Sequence, residues 1–223
     1  MIKTCFVIMP IGRLEYNNNI IEEEQLRNKY NNLIKEAILK AYPDLEVTRA
    51  DEVSAPGTIS TDIITRIMHS DIVIADITYP NPNVFYELGL RHACKSGTIL
   101  IKEKISTQTP FDISHLRHIM YENTTNGLQV LSKEIGKIIN LFLEQPDKPD
   151  NHFLEIAKLT SYQYPNYSKK QPNMTNVMMA ISKDPSILDF ISSDMPEKEK
   201  TFLKNVLKNP DLLKALLDTT NND

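Results

Sequence analysis

A chain of 223 residues has room for one ordinary domain and an appendage, or for two small domains. With 41% hydrophobic and 24% charged residues it has a globular composition, and a formal charge of -4 carries no basic excess for extended contact with a nucleic-acid polymer. No apolar run reaches the roughly 20 residues of a bilayer-spanning helix, so no membrane segment is expected.

The first apolar run, Cys5 to Met9, stops at Pro10 without a small-residue cleavage site and reads as a strand rather than a signal peptide. Its unbroken hydrophobicity predicts cover on both faces. Apolar side chains at helical spacing (Leu26, Tyr30, Leu33, Ile34, Ala37, Ile38, Ala41) predict a helix from about Ile20 to Ala41, ended by Pro43. Leu45 to Val47 is a short second strand, and Ile59, Ile63, Ile64, Ile67 and Met68 outline a second helix. A strand over 71–77, a helix over about 83–95 and a strand at Thr98 to Ile101 follow. A loop with Pro110, a short strand around His118 to Tyr121 and a helix from Gly127 to Leu143 complete the series. Alternation of this kind specifies an α/β fold, a doubly wound, flavodoxin-like parallel sheet of about five strands, because parallel strands need right-handed crossovers.

The polar, proline-bearing run Gln145 to Asn151 marks a boundary. The expected organisation is an α/β domain over residues 1–145, linker and loop over 146–173, and a small all-helical C-terminal region over 174–223. In that last region Asp184-Pro185 and Asn209-Pro210 each place an Asx cap before a proline and an apolar stripe. These short helices resemble those of client-binding adaptors that offer a groove to apolar peptides; packing on the first domain or on a second copy of the chain is the plainer account.

Chemistry-bearing residues gather around one stretch. The apolar run Ile72 to Ile77 contains Asp76 near its end, a turn with Asn81 and Asn83 follows, and Glu87 lies early in the next helix. Ligands of open parallel sheets bind beyond the carboxyl ends of the strands, so two carboxylates there mark a candidate site. Each also has an ordinary structural role open to it. Glu87 can serve the helix N-terminus or pair with Arg91 one turn on. Asp76 can accept backbone N–H groups in its turn, and either Asn81 or Asn83 can cap the helix. Pro10, Gly12 and Arg13 follow the first strand, where loop N–H groups and an arginine suit a phosphate. Asp51, past the second strand, suits a ribose hydroxyl or a base edge.

Other constellations fail. There is no GxGxxG, Walker or Gly-x-Ser-x-Gly motif. His69, His92, His115, His118 and His152 fall at no metal-ligand spacing, so no metal and no cofactor is expected. His92 is a second candidate proton donor or a structural histidine. Cys5 and Cys94 lie in apolar segments and are expected to be buried free thiols, which makes the cytoplasm the expected compartment.

The set Cys5-Phe-Val-Ile-Met-Pro-Ile-Gly12, Arg49-Ala-Asp51, Ala75-Asp76 and Asn81-Pro-Asn-Val-Phe-Tyr-Glu-Leu-Gly89 resembles the nucleoside 2-deoxyribosyltransferase-like proteins, distant relatives of the TIR domains that cleave NAD. The likeness stops at the linker. It implies that Glu87 is the catalytic carboxylate, with Asp76 or Asp51 as its partner on the base side. It also implies a nucleotide or NAD-like small molecule as substrate, Pro10, Gly12, Arg13, Asp51 and Asn83 as binding residues, and a standalone bacterial stress or phage-defence effector. A homo-oligomer, or a protein partner held through the C-terminal helices, is the expected assembly. The expected function is N-glycoside cleavage; the alternative is a non-catalytic nucleotide sensor that signals through its tail.

Overall fold

The computed structural model describes residues 2–52, 59–105, 107–162 and 201. The chain divides into two units, residues 1–53 with 63–162 and residues 54–62 with 163–223. The first holds the α/β fold. The C-terminal helices expected within 174–223 lie outside the described residues.

Five parallel strands form the sheet: β1 (Thr4–Ile8), β4 (Glu46–Arg49), β5 (Ile72–Asp76), β6 (Thr98–Glu103) and β7 (Ile119–Tyr121), in spatial order β4-β1-β5-β6-β7. Counted in chain order within the sheet this is 2-1-3-4-5, the doubly wound arrangement whose order reverses between β1 and β5. The register sets Ile8 beside Ala75 and Val7 beside Arg49, so β4, β1 and β5 end at one edge.

Alternation along the strands makes two cores. Cys5, Val7, Ile72 and Ile74 point to one face, where they meet Tyr30, Ile34 and Ile38, and Leu131, Ile135 and Ile139 of α6 (Thr125–Glu144). Phe6, Ile8, Val73 and Ala75 point to the other, against Ile67 of α3 (Ile59–His69) and Val84 and Leu88 of α4 (Pro82–Cys94). Cover on both sides is why every residue of β5 is buried.

Two segments depart from the sequence reading. The helix expected from Ile20 begins at Glu23, as α1 (Glu23–Lys29), a π-helical turn (Tyr30–Lys35) and α2 (Glu36–Ala41). Residues 14–21 form a hairpin, β2 (Leu14–Tyr16) with β3 (Asn19–Ile21). Its two-residue turn needs positive φ at both positions, met by Asn17 (50°) and Asn18 (62°).

The second departure is at the expected linker. There α7 (His152–Thr160) forms, capped by Asn151, whose Oδ1 accepts the Leu154 N–H at 3.0 Å. Asp150 accepts the N–H groups of Gly97 and Thr98, each at 2.7 Å, which ties this segment to the start of β6. The first unit therefore extends to Tyr162. Before β7, the loop holding Pro110 contains a single helical turn, α5 (Phe111–Ser114). Cys5 is buried as expected, but Cys94, at the end of α4, is exposed.

Candidate functional site

The chain reversal at β1 and β5 brings most of the candidate residues to one edge of the sheet. Asp76 ends β5; Pro10, Gly12 and Arg13 follow β1; Asp51 lies in a 3-10 turn (Ala50–Glu52) directly after β4. Asn83 and Glu87 are on α4, which opens six residues after β5 ends.

Asp76 is 2% exposed and fully engaged. Its Oδ1 accepts the Thr78 N–H at 3.0 Å and the Thr78 hydroxyl, and its Oδ2 accepts the Tyr121 hydroxyl at 3.0 Å. Thr78 in turn accepts the Glu103 N–H at 2.9 Å. Burial pushes the Asp76 carboxyl above its ordinary value, against the pull of the Lys29 charge and these hydrogen bonds. Lys29 is itself buried, paired with Glu103 and 5.0 Å above the centroid of the Tyr79 ring. Sequence reading missed this network. Thr78, two residues beyond Asp76, and Lys29, on the Leu26–Tyr30–Leu33 stripe, were its visible signals.

Asp51 is also engaged. Arg49, 2% exposed, forms a two-pronged ion pair with it, and Arg27 Nη2 lies 2.9 Å from Oδ2. Burial alone raises this carboxyl, but the two guanidinium groups outweigh it and hold Asp51 below the usual carboxylate range.

Glu87 stands in contrast. It is the sixth residue of α4, beyond the turn whose free N–H groups need a cap. Asn81 is that cap, its Oδ1 accepting from Asn83 N at 3.0 Å and Val84 N at 3.3 Å, with Pro82 at the first helical position. Arg91 does not pair with Glu87. It is buried, and it donates to the carbonyls of Ile67 (2.8 Å), Ser70 (2.8 Å), Asp71 (3.1 Å) and Ser96 (2.6 Å), pinning the end of α3 to the starts of β5 and β6. Both structural roles open to Glu87 in the sequence are thus filled by other arrangements. Half-buried and without a hydrogen bond or ion pair among the described residues, its carboxyl is pushed up to about 7 by burial.

No protein-family model matches the chain, and no curated protein matches it. The chemistry must be read from the residues. Gly12 takes a positive φ of 77° in the loop after β1, where any other residue would be strained. Pro10 is buried, while Arg13 is exposed and only 3.8 Å from Glu22, a loose surface pair that leaves the guanidinium available. Asn83 is exposed, and its backbone N–H, not its side chain, is used by the cap. The edge thus combines two carboxylates locked in internal pairs with a glycine-bearing loop whose arginine is only loosely paired, and α4 adds a carboxylate without a partner among the described residues.

Proposed function

We propose that this protein cleaves an N-glycosidic bond in a nucleoside, nucleotide or NAD-like substrate, with Glu87 as the carboxylate that meets the sugar. The observation that supports this reading is the environment of Glu87: half-buried, without a hydrogen bond or ion pair among the described residues, its carboxyl pushed up to about 7 by burial. Leaving a carboxylate so placed is costly for stability, and such groups cluster where chemistry needs them. As the glycosidic bond breaks the sugar gains oxocarbenium character. A carboxylate below C1′ either stabilises that charge or attacks to form a glycosyl-enzyme, which water then opens.

The pairing of Asp76 and Asp51 bears on the leaving group. A neutral base needs a proton to depart, and both of the carboxylates expected to help are already held. A pyridinium base such as nicotinamide leaves as a neutral molecule and needs no acid. Its positive charge near Glu87 also favours the ionised carboxylate, lowering the raised pKa as substrate binds. The reading therefore favours an NAD-like substrate and hydrolysis. Arg13 and the Gly12 loop would receive its phosphates, and the exposed Asn83 side chain, which the helix cap does not use, would meet the sugar. The expected bacterial defence role and assembly through the C-terminal helices belong to the same proposal; a monomer by light scattering across micromolar concentrations counts against the assembly.

Product chromatography after incubation with NAD and a panel of ribo- and deoxyribonucleotides tests the activity. Free base with the wild type and none with Glu87→Gln supports it. The wild-type kcat/KM should rise with pH through about 7, the pKa of Glu87 in the free protein. No free base from either protein at high concentration overturns it.

A second reading is favoured by the internal pairing of Asp76 and Asp51: a nucleotide sensor without catalysis. A ligand that raises the melting temperature as its concentration grows, and is recovered unchanged, would establish that reading instead.

A further inference from the structure

On α4, His92 lies five residues beyond Glu87, about 140° further around the helix. It lines a separate cavity of about 250 Å³ bounded by α4, β6, the turn after α5 and the start of α7. His115 and His152 stack at this cavity with ring centroids 4.5 Å apart, and Arg117 lines it beside them.

The carboxylates on its wall already have partners. Asp150 accepts the Gly97 and Thr98 N–H groups through Oδ2 and the Asn151 amide through Oδ1 at 2.7 Å. Glu155 Oε2 lies 2.9 Å from His152 Nδ1. Among the described residues neither Arg117 nor His92 has a hydrogen bond or ion pair, and the buried Thr98 hydroxyl has no hydrogen-bond partner. Burial holds the His92 imidazole below its usual value, Asp150 opposing and Arg91 reinforcing, so its neutral ring keeps one N–H to offer. The N-terminus of α7 adds positive partial charge at the same wall. Among the described residues no three His, Cys, Asp or Glu side chains are placed to hold a metal ion.

A cavity whose carboxylates are engaged, while Arg117, His92 and the Thr98 hydroxyl have no partner among the described residues, suits an anion. We propose that it binds the phosphate group of a small phosphate monoester, with Arg117 gripping two phosphate oxygens and His92, His115 and the Thr98 hydroxyl completing the shell. The site is independent of the chemistry at Glu87.

Titrating the full-length protein with inorganic phosphate and with ribose 5-phosphate, while following the histidine ring signals by NMR, tests this. Saturable shifts of His92, His115 and His152 with either probe support the site, and the tighter probe names the source of the phosphate. Binding should weaken about tenfold in Arg117→Ala and in His115→Gln, both exposed positions, and stay unchanged in Arg13→Ala. Shifts that never saturate overturn the proposal. So does binding that survives Arg117→Ala but is lost in Arg13→Ala, which would put the phosphate at the other site.

Discussion

Asp76 and Glu87 belong to one strand-turn-helix unit, eleven residues apart, and the fold treats them in opposite ways. Around Asp76 it gathers two hydroxyl groups, a backbone N–H and the charge of Lys29. Among the described residues Glu87 has no hydrogen bond or ion pair, and the arginine one turn away is bound elsewhere. Burial raises both carboxyls, but only at Asp76 do hydrogen bonds and a neighbouring cation oppose it. One acid is held by internal hydrogen bonds, and the other has neither a hydrogen bond nor an ion pair among the described residues.

The sharpest test of that contrast is Asp76→Ala. It leaves the Thr78 and Tyr121 hydroxyls without their acceptor and takes one of two carboxylates from the neighbourhood of Lys29, which keeps Glu103, and should cost about 3–5 kcal/mol in urea unfolding at pH 7. A loss below about 1 kcal/mol would remove Asp76 from the scaffold. Glu87→Gln should move stability the other way. Glu87 is protonated in both folded and unfolded states below about pH 4.5, so there the two proteins match. As pH rises from 4.5 through 7 the unfolded chain ionises more readily, and wild type loses stability. Above 7 the variant should be the more stable by about 2 kcal/mol, after allowance for solvent screening. Parallel stability profiles for the two proteins would mean that Glu87 has a partner in solution.

Smaller effects are expected on the β4 and β1 side. Asp51→Asn should cost about 1–2 kcal/mol at pH 7, because Arg49 stays buried without its counter-charge. With its folded pKa held below 3.8, Asp51 stabilises fully above that value, so the difference should fade as unfolding is repeated at lower pH. Arg13→Ala should change stability by less than about 0.5 kcal/mol, its pair with Glu22 being long and exposed. Its effect belongs in affinity for phosphate-bearing substrates. Calorimetry showing unchanged affinity would exclude Arg13 from binding.

Much of the fold was legible because its strands are covered on both faces. Cys5 to Met9, Ile72 to Ala75 and Ile99 to Ile101 are continuous apolar runs, and the helices between them carry stripes of the right period. The hairpin at 14–21 was not legible: its strands are three residues long, and Ile20 and Ile21 extend the spacing of the helix that follows. Pro146 and Pro149 concealed α7, since a proline-rich break reads as a linker although Asn151 just beyond it is a helix cap.

From sequence alone came the strand-helix alternation, the edge at which Asp76, Asp51 and the Gly12 loop meet, and Glu87 as the residue to question. These depend on local period and on topology rules that hold for any parallel sheet. Which acid is neutralised and which is left exposed to its own burial was decided by tertiary structure alone. Lys29 reaches Glu103 across 74 residues, and Arg91 reaches Ile67 and Ser70 across 24 and 21. Partners so far apart in the chain leave no spacing to read, and the pKa of a carboxylate depends on just such partners.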